Sequence, residues 1–272
     1  MFMSATSFNG NLSNWDTSSV TEMQSMFSEA TSFNGDLSRW DVSNVTNMHN
    51  MFAGASSFKG LGLFQWDVSN VKDMSTMFRG CNASDTYGIS QWDVSSVTNM
   101  RAMFEAATRF DENPSEWDVG NVINMRQMFA GASNFDGDLA KWDVSEVVDM
   151  SSMFHGATKF SGSKPFGDGM WRDLSGWDVS KVRNMSWMFW HAKQFVSDLS
   201  EWDVSNVRNT QGMFQNAENF ESDLSDWNTV NLVNMSYMFA YATKFTSDLS
   251  GWNVFNVRNM DGMFLGKKVN AW

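Results

Sequence analysis

A tryptophan recurs along this chain at a nearly fixed interval: Trp15, Trp40, Trp66, Trp92, Trp117, Trp142, Trp177, Trp202, Trp227 and Trp252. Successive members lie 25, 26, 26, 25, 25, 35, 25, 25 and 25 residues apart. Whole segments repeat with them. Residues 40–60 read WDVSNVTNMHNMFAGASSFKG, and the other units are close copies. A period of about 20 to 29 residues is that of leucine-rich-repeat solenoids, in which a unit too small to bury its own apolar side stacks on its neighbours. The 272 residues therefore read as one solenoid over 1–272, with a half repeat at 1–12.

Residues 37–58 serve as the template. Leu37, Trp40 and Val42 have the spacing L-x-x-W-x-V of a leucine-rich-repeat strand. Trp40 and Val42 are two apart and share one face of such a strand. Val45, Met48, Met51, Phe52 and Ala55 then follow the apolar stripe of a helix of two to three turns. Ser43 or Thr46 would cap it, acidic residues near Asn47 would suit its dipole, and Gly54 would close it. The expectation is an α/β, right-handed, leucine-rich-repeat-like solenoid. It would have about ten 25-residue strand–helix repeats and a parallel sheet on one face. The 22 methionines, most of them on the apolar rows, read as core filler rather than metal ligands.

The bulk chemistry excludes several classes. A formal charge of −12 argues against nucleic acid, whose binding needs a positive face. It argues equally against unaided binding to anionic membranes. No run of about 18 apolar residues is present, so direct membrane insertion is not expected. No signal segment is visible at the first residues. The single cysteine, Cys81, supports neither a disulfide framework nor a thiolate metal site and falls on a small-residue core row. His49, His155 and His191 lie in different repeats without a nucleophile motif, and no phosphate loop occurs. The chain reads as no enzyme, with no cofactor.

Two rows flank the tryptophans. Asp16, Asp41, Asp67, Asp93, Asp118, Asp143, Asp178 and Asp203 follow them, with Asn228 and Asn253 in the next two units. Carboxylates stacked at about 4.8 Å would repel. They are expected to accept backbone N–H bonds from the next turn; the alternative is a shared calcium row and calcium-dependent adhesion. A further row, Asn47 to Asn259, is expected to form a side-chain amide ladder. The residue before each tryptophan is the freest: Asn14, Arg39, Gln65, Gln91, Glu116, Lys141, Gly176, Glu201, Asp226 and Gly251. Variation on a fixed scaffold is where specificity is written, so Arg39, Gln65, Gln91, Glu116, Lys141, Glu201 and Asp226 are the candidate binding residues.

The repeat breaks in a few places. Residues 163–172 are ten extra residues, a loop whose Phe166, Met170 and Trp171 could contact a ligand. Thr210 replaces a core methionine, its hydroxyl expected to bond a backbone carbonyl. Met1-Phe2 is in phase with Met26-Phe27, so the first unit starts without a polar cap. That is expected either of a fragment or of an end that meets a partner, and it allows self-association through the N-terminal end. Residues 265–272 could act as a crude C-terminal cap.

The unit W-D-V-S-N-V-T-N-M-x-x-M-F-x-x-A-x-x-F-N-x-D-L-S resembles the repeat, about 26 residues long, of bacterial surface proteins of the mycoplasma and Listeria lipoprotein type. These are related to BspA-like leucine-rich-repeat proteins. The resemblance covers essentially the whole chain. It implies an extracellular or cell-surface protein that binds a protein or glycan or acts in adhesion, with no catalytic residues to carry over. End-to-end assembly as a structural subunit is the alternative.

Overall fold

A computed structural model describes residues 1–81, 88–165 and 171–267. Each repeat is one rung of a solenoid, bonded backbone to backbone to the rungs before and after it. The expected strand–helix unit is not what forms. Among the described residues there is no α-helix, and parallel pairing occurs only as single bridges, Glu22↔Asn47↔Asp73 and onward to Asn234↔Asn259.

The rung is a chain of β-turns. Trp40 N–H bonds Leu37 C=O, Val45 bonds Val42, Met51 bonds Met48, Ala55 bonds Phe52 and Phe58 bonds Ala55. Each turn starts and ends on a buried residue, so four-residue turns generate the spacing of three that imitates a helix. The L-x-x-W-x-V segment is likewise two turns, one closing at Trp40 and the next opening at Val42. An Asx side chain precedes three of the turns. Asp36 Oδ1 accepts from Ser38 N–H at 2.9 Å, Asp41 Oδ1 from Ser43 N–H at 3.0 Å and Asn47 Oδ1 from His49 N–H at 2.9 Å. The unit is thus Asx–apolar–x–x–apolar used three times. Ser43 and Asn47 serve these turns, not a helix start. The Asn47–Asn259 row forms no continuous amide ladder: Asn99 reaches Asp73, whereas Asn47 and Asn234 reach Gln24 and Gln211.

The far side of the rung is held chiefly by backbone, with scattered side-chain bonds such as Asn50 Nδ2–H to Ser25 Oγ at 3.2 Å. Met48, Asn50, Phe52 and Gly54 each donate N–H forward, to the carbonyls of Asp73, Ser75, Met77 and Arg79. Their peptide partners Asn47, His49, Met51 and Ala53 accept from the rung behind. The same peptide planes are bonded in both directions, and four such columns recur at every rung. This requires left-handed residues at the tenth and fourteenth positions after each tryptophan. Asn50 has φ 60 and Gly54 φ 69; Ala102 and Ala106 have φ 53 and 56. Gly54 is therefore one of two left-handed positions per rung rather than a helix end.

The core is continuous from Leu12 to Met263. Phe52 stacks on Phe58 of its own rung at 4.1 Å and on Phe27 and Phe78 of its neighbours at 5.6 and 5.8 Å. Indole rings stack in the same way, Trp66 on Trp92 at 6.5 Å with planes 2° apart. Trp40 to Trp252 of the tryptophan row are buried; Trp15 is 40% exposed. Each buried indole donates Nε1–H to the preceding repeat, Trp66 to Leu37 C=O at 3.1 Å and Trp92 to Leu63 C=O at 2.9 Å. The Leu37 carbonyl also accepts Trp40 N–H, so both of its lone pairs are used.

The irregular units are absorbed locally. Where the spacing is 26, glycine replaces the Asx residue ahead of one-turn 3₁₀ helices at Leu63–Gln65 and Ile89–Gln91. Gly62 has φ +90, and a Cβ there would lie 2.5 Å from Ser38 N. The expected loop at 163–172 begins and ends as a hairpin, β1 (Ser163–Pro165) pairing antiparallel with β2 (Trp171–Asp173). Lys164 pairs with Asp136 beside it. Thr210 is fully buried and its Oγ1 lies 3.4 Å from Asn234 C=O. Cys81 is buried, with Sγ 3.4 Å from Phe58 C=O. In the first unit, Phe2 and Phe8 stack on Phe27 and Phe33. Of the expected cap at 265–272, residues 268–272 lie outside the described residues.

Candidate functional site

Tryptophan at the end of one turn and valine at the start of the next turn inward, so the residues on either side of tryptophan turn outward. Arg39, Gln65, Gln91, Glu116, Lys141, Glu201 and Asp226 are all exposed, as are Asp16, Asp41, Asp67, Asp93, Asp118, Asp143, Asp178 and Asp203. The structure brings these two rows together as neighbouring ridges on one face. Phe166 and Met170 lie outside the described residues, and Trp171 is described only as a member of β2.

The Asp row is locked by its own turns. Asp41 and Asp93 Oδ1 each accept the N–H and the hydroxyl of the serine two residues on, at 3.0 and 2.6 Å. Those bonds, the serine hydroxyl first, lower the carboxyl pKa of Asp16, Asp41, Asp93, Asp143 and Asp178, against a small opposing effect of burial. At neutral pH this face is a ridge of fixed negative charge. The free row beside it adds both signs, with Lys141 Nζ 2.8 Å from Glu116 one rung back. Glu201, Asp203, Asp223 and Asp226 line a shallow polar hollow of about 260 Å³. The calcium alternative needs converging ligands; among the described residues no group of three or more His, Cys, Asp or Glu could hold a metal ion.

A second surface escaped the sequence reading. On the backbone-bonded side, the tenth, thirteenth and fourteenth positions carry side chains that leave the core. In early repeats they hold Asn50, Ala53 and Gly54, or Ala102, Glu105 and Ala106. From His155 onward aromatic rings appear among them, at His155, Trp187, Trp190, His191, Tyr237 and Tyr241. The His155 ring lies 4.2 Å from Trp190, which meets His191 edge-on at 4.0 Å and Trp187 at 6.4 Å. Trp190 Nε1 is buried with no partner. Two rungs on stand Tyr237 and Tyr241, 37% and 42% exposed. Burial lowers the pKa of His155 and His191, and each has a cationic neighbour adding to it, His191 and Lys193 respectively. The signal was available: of the 14 tryptophans, Trp187 and Trp190 stand off the periodic row and fall in one repeat.

A family model described as "Mycoplasma protein of unknown function, DUF285" matches residues 1–86, 61–166 and 163–271. Among curated proteins no relative matches the chain. Among solved structures, a crystal structure of a TLR13-ssRNA13 complex is similar at 12% identity and TM-score 0.23, over 91% of this chain and 43% of that one. The functional domain of InlJ from Listeria monocytogenes, which includes a cysteine ladder, is similar at 12% identity and TM-score 0.23, over 94% of this chain and 63% of that one. The chain thus spans less than two thirds of either. Among the described residues no helix is long and apolar enough to cross a membrane.

Proposed function

The chain belongs to the mycoplasma DUF285 family, and from that premise we propose that it is a non-enzymatic binding module displayed at the cell surface or secreted. On this reading it is one continuous, right-handed solenoid that engages a macromolecular partner, protein or glycan, through its tryptophan-flanking face, with the inserted segment at 163–172 as an accessory contact. One observation carries this. A row of exposed residues of changing identity, Arg39 to Asp226, runs beside a row of carboxylates held in one geometry throughout. Repetition fixes the scaffold and the free row varies the message.

The chemistry of the face specifies the partner's charge. Ionised carboxylates about 4.8 Å apart, in a chain of net charge −12, favour a partner with basic groups and repel acidic ones. Arrays of immobilised basic and acidic proteins and glycans test this. Wild-type protein should bind basic targets, with affinity falling as salt rises. The combined charge reversals Arg39→Glu, Glu116→Lys, Lys141→Glu and Glu201→Lys should redistribute binding among the targets. An unchanged pattern in a folded variant would overturn the assignment of this face. Surface proteolysis of intact cells checks the compartment: protection of the chain from added protease would contradict display.

A further inference from the structure

The ring cluster on the backbone-bonded side has a regular construction. The tenth position reads Trp187, Gly212, Tyr237, Gly262 in successive rungs, and the rungs are consecutive because Trp187 N–H bonds Gln211 C=O and Gly212 N–H bonds Ser236 C=O. Each ring lies across the glycine of the next rung. A Cβ on Gly212 would fall 2.4 Å from the Trp187 ring, one on Gly262 2.4 Å from Tyr237, and one on Gly266 2.2 Å from Tyr241. A ring laid over glycine rests one face on backbone and turns the other outward. The rung between the rings carries amides, Gln215 and Asn216, whose side chains make no hydrogen bond among the described residues.

We infer that Trp187 and Tyr237, with Tyr241 and the amides of Gln215 and Asn216, form a binding platform for an extended polysaccharide of β-linked pyranose units. Three features select this occupant. Rings of one column recur every second rung, about 10 Å apart at roughly 4.8 Å per rung, which is close to the two-unit repeat of an extended β-1,4-linked chain. Flat aromatic faces match the apolar faces of pyranose rings. Unpaired amides at the intermediate rung are placed to meet the hydroxyls, the few polar groups that orient such a ligand. The patch is confined to the rungs from His155 to Tyr241, whereas the earlier rungs carry no aromatic ring at the same positions, which hold residues such as Asn50, Arg79, Ala102, Glu105 and Gln127. This platform is separate from the carboxylate face and does not depend on it.

The test is calorimetric titration of the full chain with β-1,4-linked glucose and N-acetylglucosamine hexamers, alongside an α-1,4-linked hexamer. Co-sedimentation with the corresponding insoluble polymers accompanies it. Wild-type protein should bind a β-linked hexamer at least tenfold more tightly than the α-linked one. Tyr237→Ala should weaken binding about tenfold, and Trp187→Ala with Tyr237→Ala should abolish it. Tyr241→Ala provides an exposed-ring variant if the Trp187 change perturbs folding, which thermal melts would reveal. The charge reversals at Arg39 and Glu201 should leave hexamer affinity unchanged. Absence of binding to any β-linked hexamer, or equal binding by the double variant, overturns the inference. So does a wild-type dimer that dissociates when Tyr237 is replaced while no hexamer binds, because the patch would then be a protein contact.

Discussion

The two sides of each rung are made of the same β-turns but are joined to their neighbours by different means. On the tryptophan side the links are side chains: indole Nε1–H to a backbone carbonyl one repeat back, and Asn44 or Asn70 amides to the carbonyls of Ser18 and Ser43. On the opposite side the recurring links are peptide groups, four columns of them running forward from rung to rung, and side-chain links such as Arg79 to Glu105 occur only at single rungs. Where side chains make the joint, the residue types must recur. Where the backbone makes it, the tenth and thirteenth positions are free. They hold Asn50, Thr76, Gln127, Trp187 and Tyr237 in one column and Arg79, Glu105, His155 and Trp190 in the other. The side that shows no motif in the sequence is therefore as able to carry specificity as the side that does.

The largest test of this contrast is Trp92→Ala. It removes a buried ring stacked on Trp66 and leaves the Leu63 carbonyl without its indole donor. Truncation of a buried aromatic costs about 3 to 5 kcal/mol, to be read from the urea midpoint. Hydrogen exchange on the same variant should show the forward peptide columns holding longer than the turns around the lost ring. If all amides open together, the two sides are not separable.

Acid should loosen the tryptophan side next. Asp41, Asp93, Asp143 and Asp178 have folded pKa values below the ordinary 3.8. Their stabilisation is complete above that ordinary value and is lost as pH falls through the lower, folded ones. His155 and His191 act earlier. Their folded pKa values lie below the ordinary 6.5, so the unfolded chain binds protons first and stability falls as pH drops below about 6.5. Melting temperature against pH should show a shallow decline from the histidines and a steeper one below about pH 4. A flat profile between pH 7 and 3 would remove the carboxylate turns from the account.

Ala106→Gly turns the comparison into a question of sign. Ala106 is exposed with φ 56. Were it in a helix, glycine would cost about 1 kcal/mol; in the left-handed conformation, glycine relieves a strain of about 1 kcal/mol, so the melting temperature should hold or rise. A clear fall would argue for helix. The smallest effect is expected at Asp41. Asp41→Ala removes the acceptor of two serine bonds and should lower the melting temperature, whereas Asp41→Asn should leave it nearly unchanged, as Asn228 and Asn253 hold the same turn. Equal losses in both would assign the role to charge rather than to hydrogen bonding.

The periodic tryptophans made stacking legible, because only a fixed rung length returns the same residue to the same place. The turns were not legible as turns. Val45, Met48, Met51, Phe52 and Ala55 are spaced 3, 3, 1 and 3, and four-residue turns closing on apolar residues share that spacing with a helix. Two glycine-bearing columns four residues apart, at Gly212 and Gly262 and at Gly54, Gly80 and Gly131, were the discriminating clue. A helix has one use for glycine, at its end, whereas this rung has two left-handed positions. Three Asx residues ahead of three apolar pairs, at Asp36, Asp41 and Asn47, were the second. The exposed row from Arg39 to Asp226 could be found by its variability; the ring platform was signalled only by Trp187 and Trp190 standing off the periodic row, and its reach to Tyr237 was not, because the lateral spacing is set by rungs and not by chain distance.

The doubly bonded peptide planes have an electrical consequence. Each carries a dipole of about 3.5 D, and in four columns per rung all of them point the same way, N–H toward the following repeat. Fewer opposed bonds run the other way, such as Thr46 N–H to Thr21 C=O. The stack therefore behaves as a polarised rod, positive in the direction of chain growth. Each added repeat lengthens the separation between its poles, and this polarity owes nothing to charged side chains.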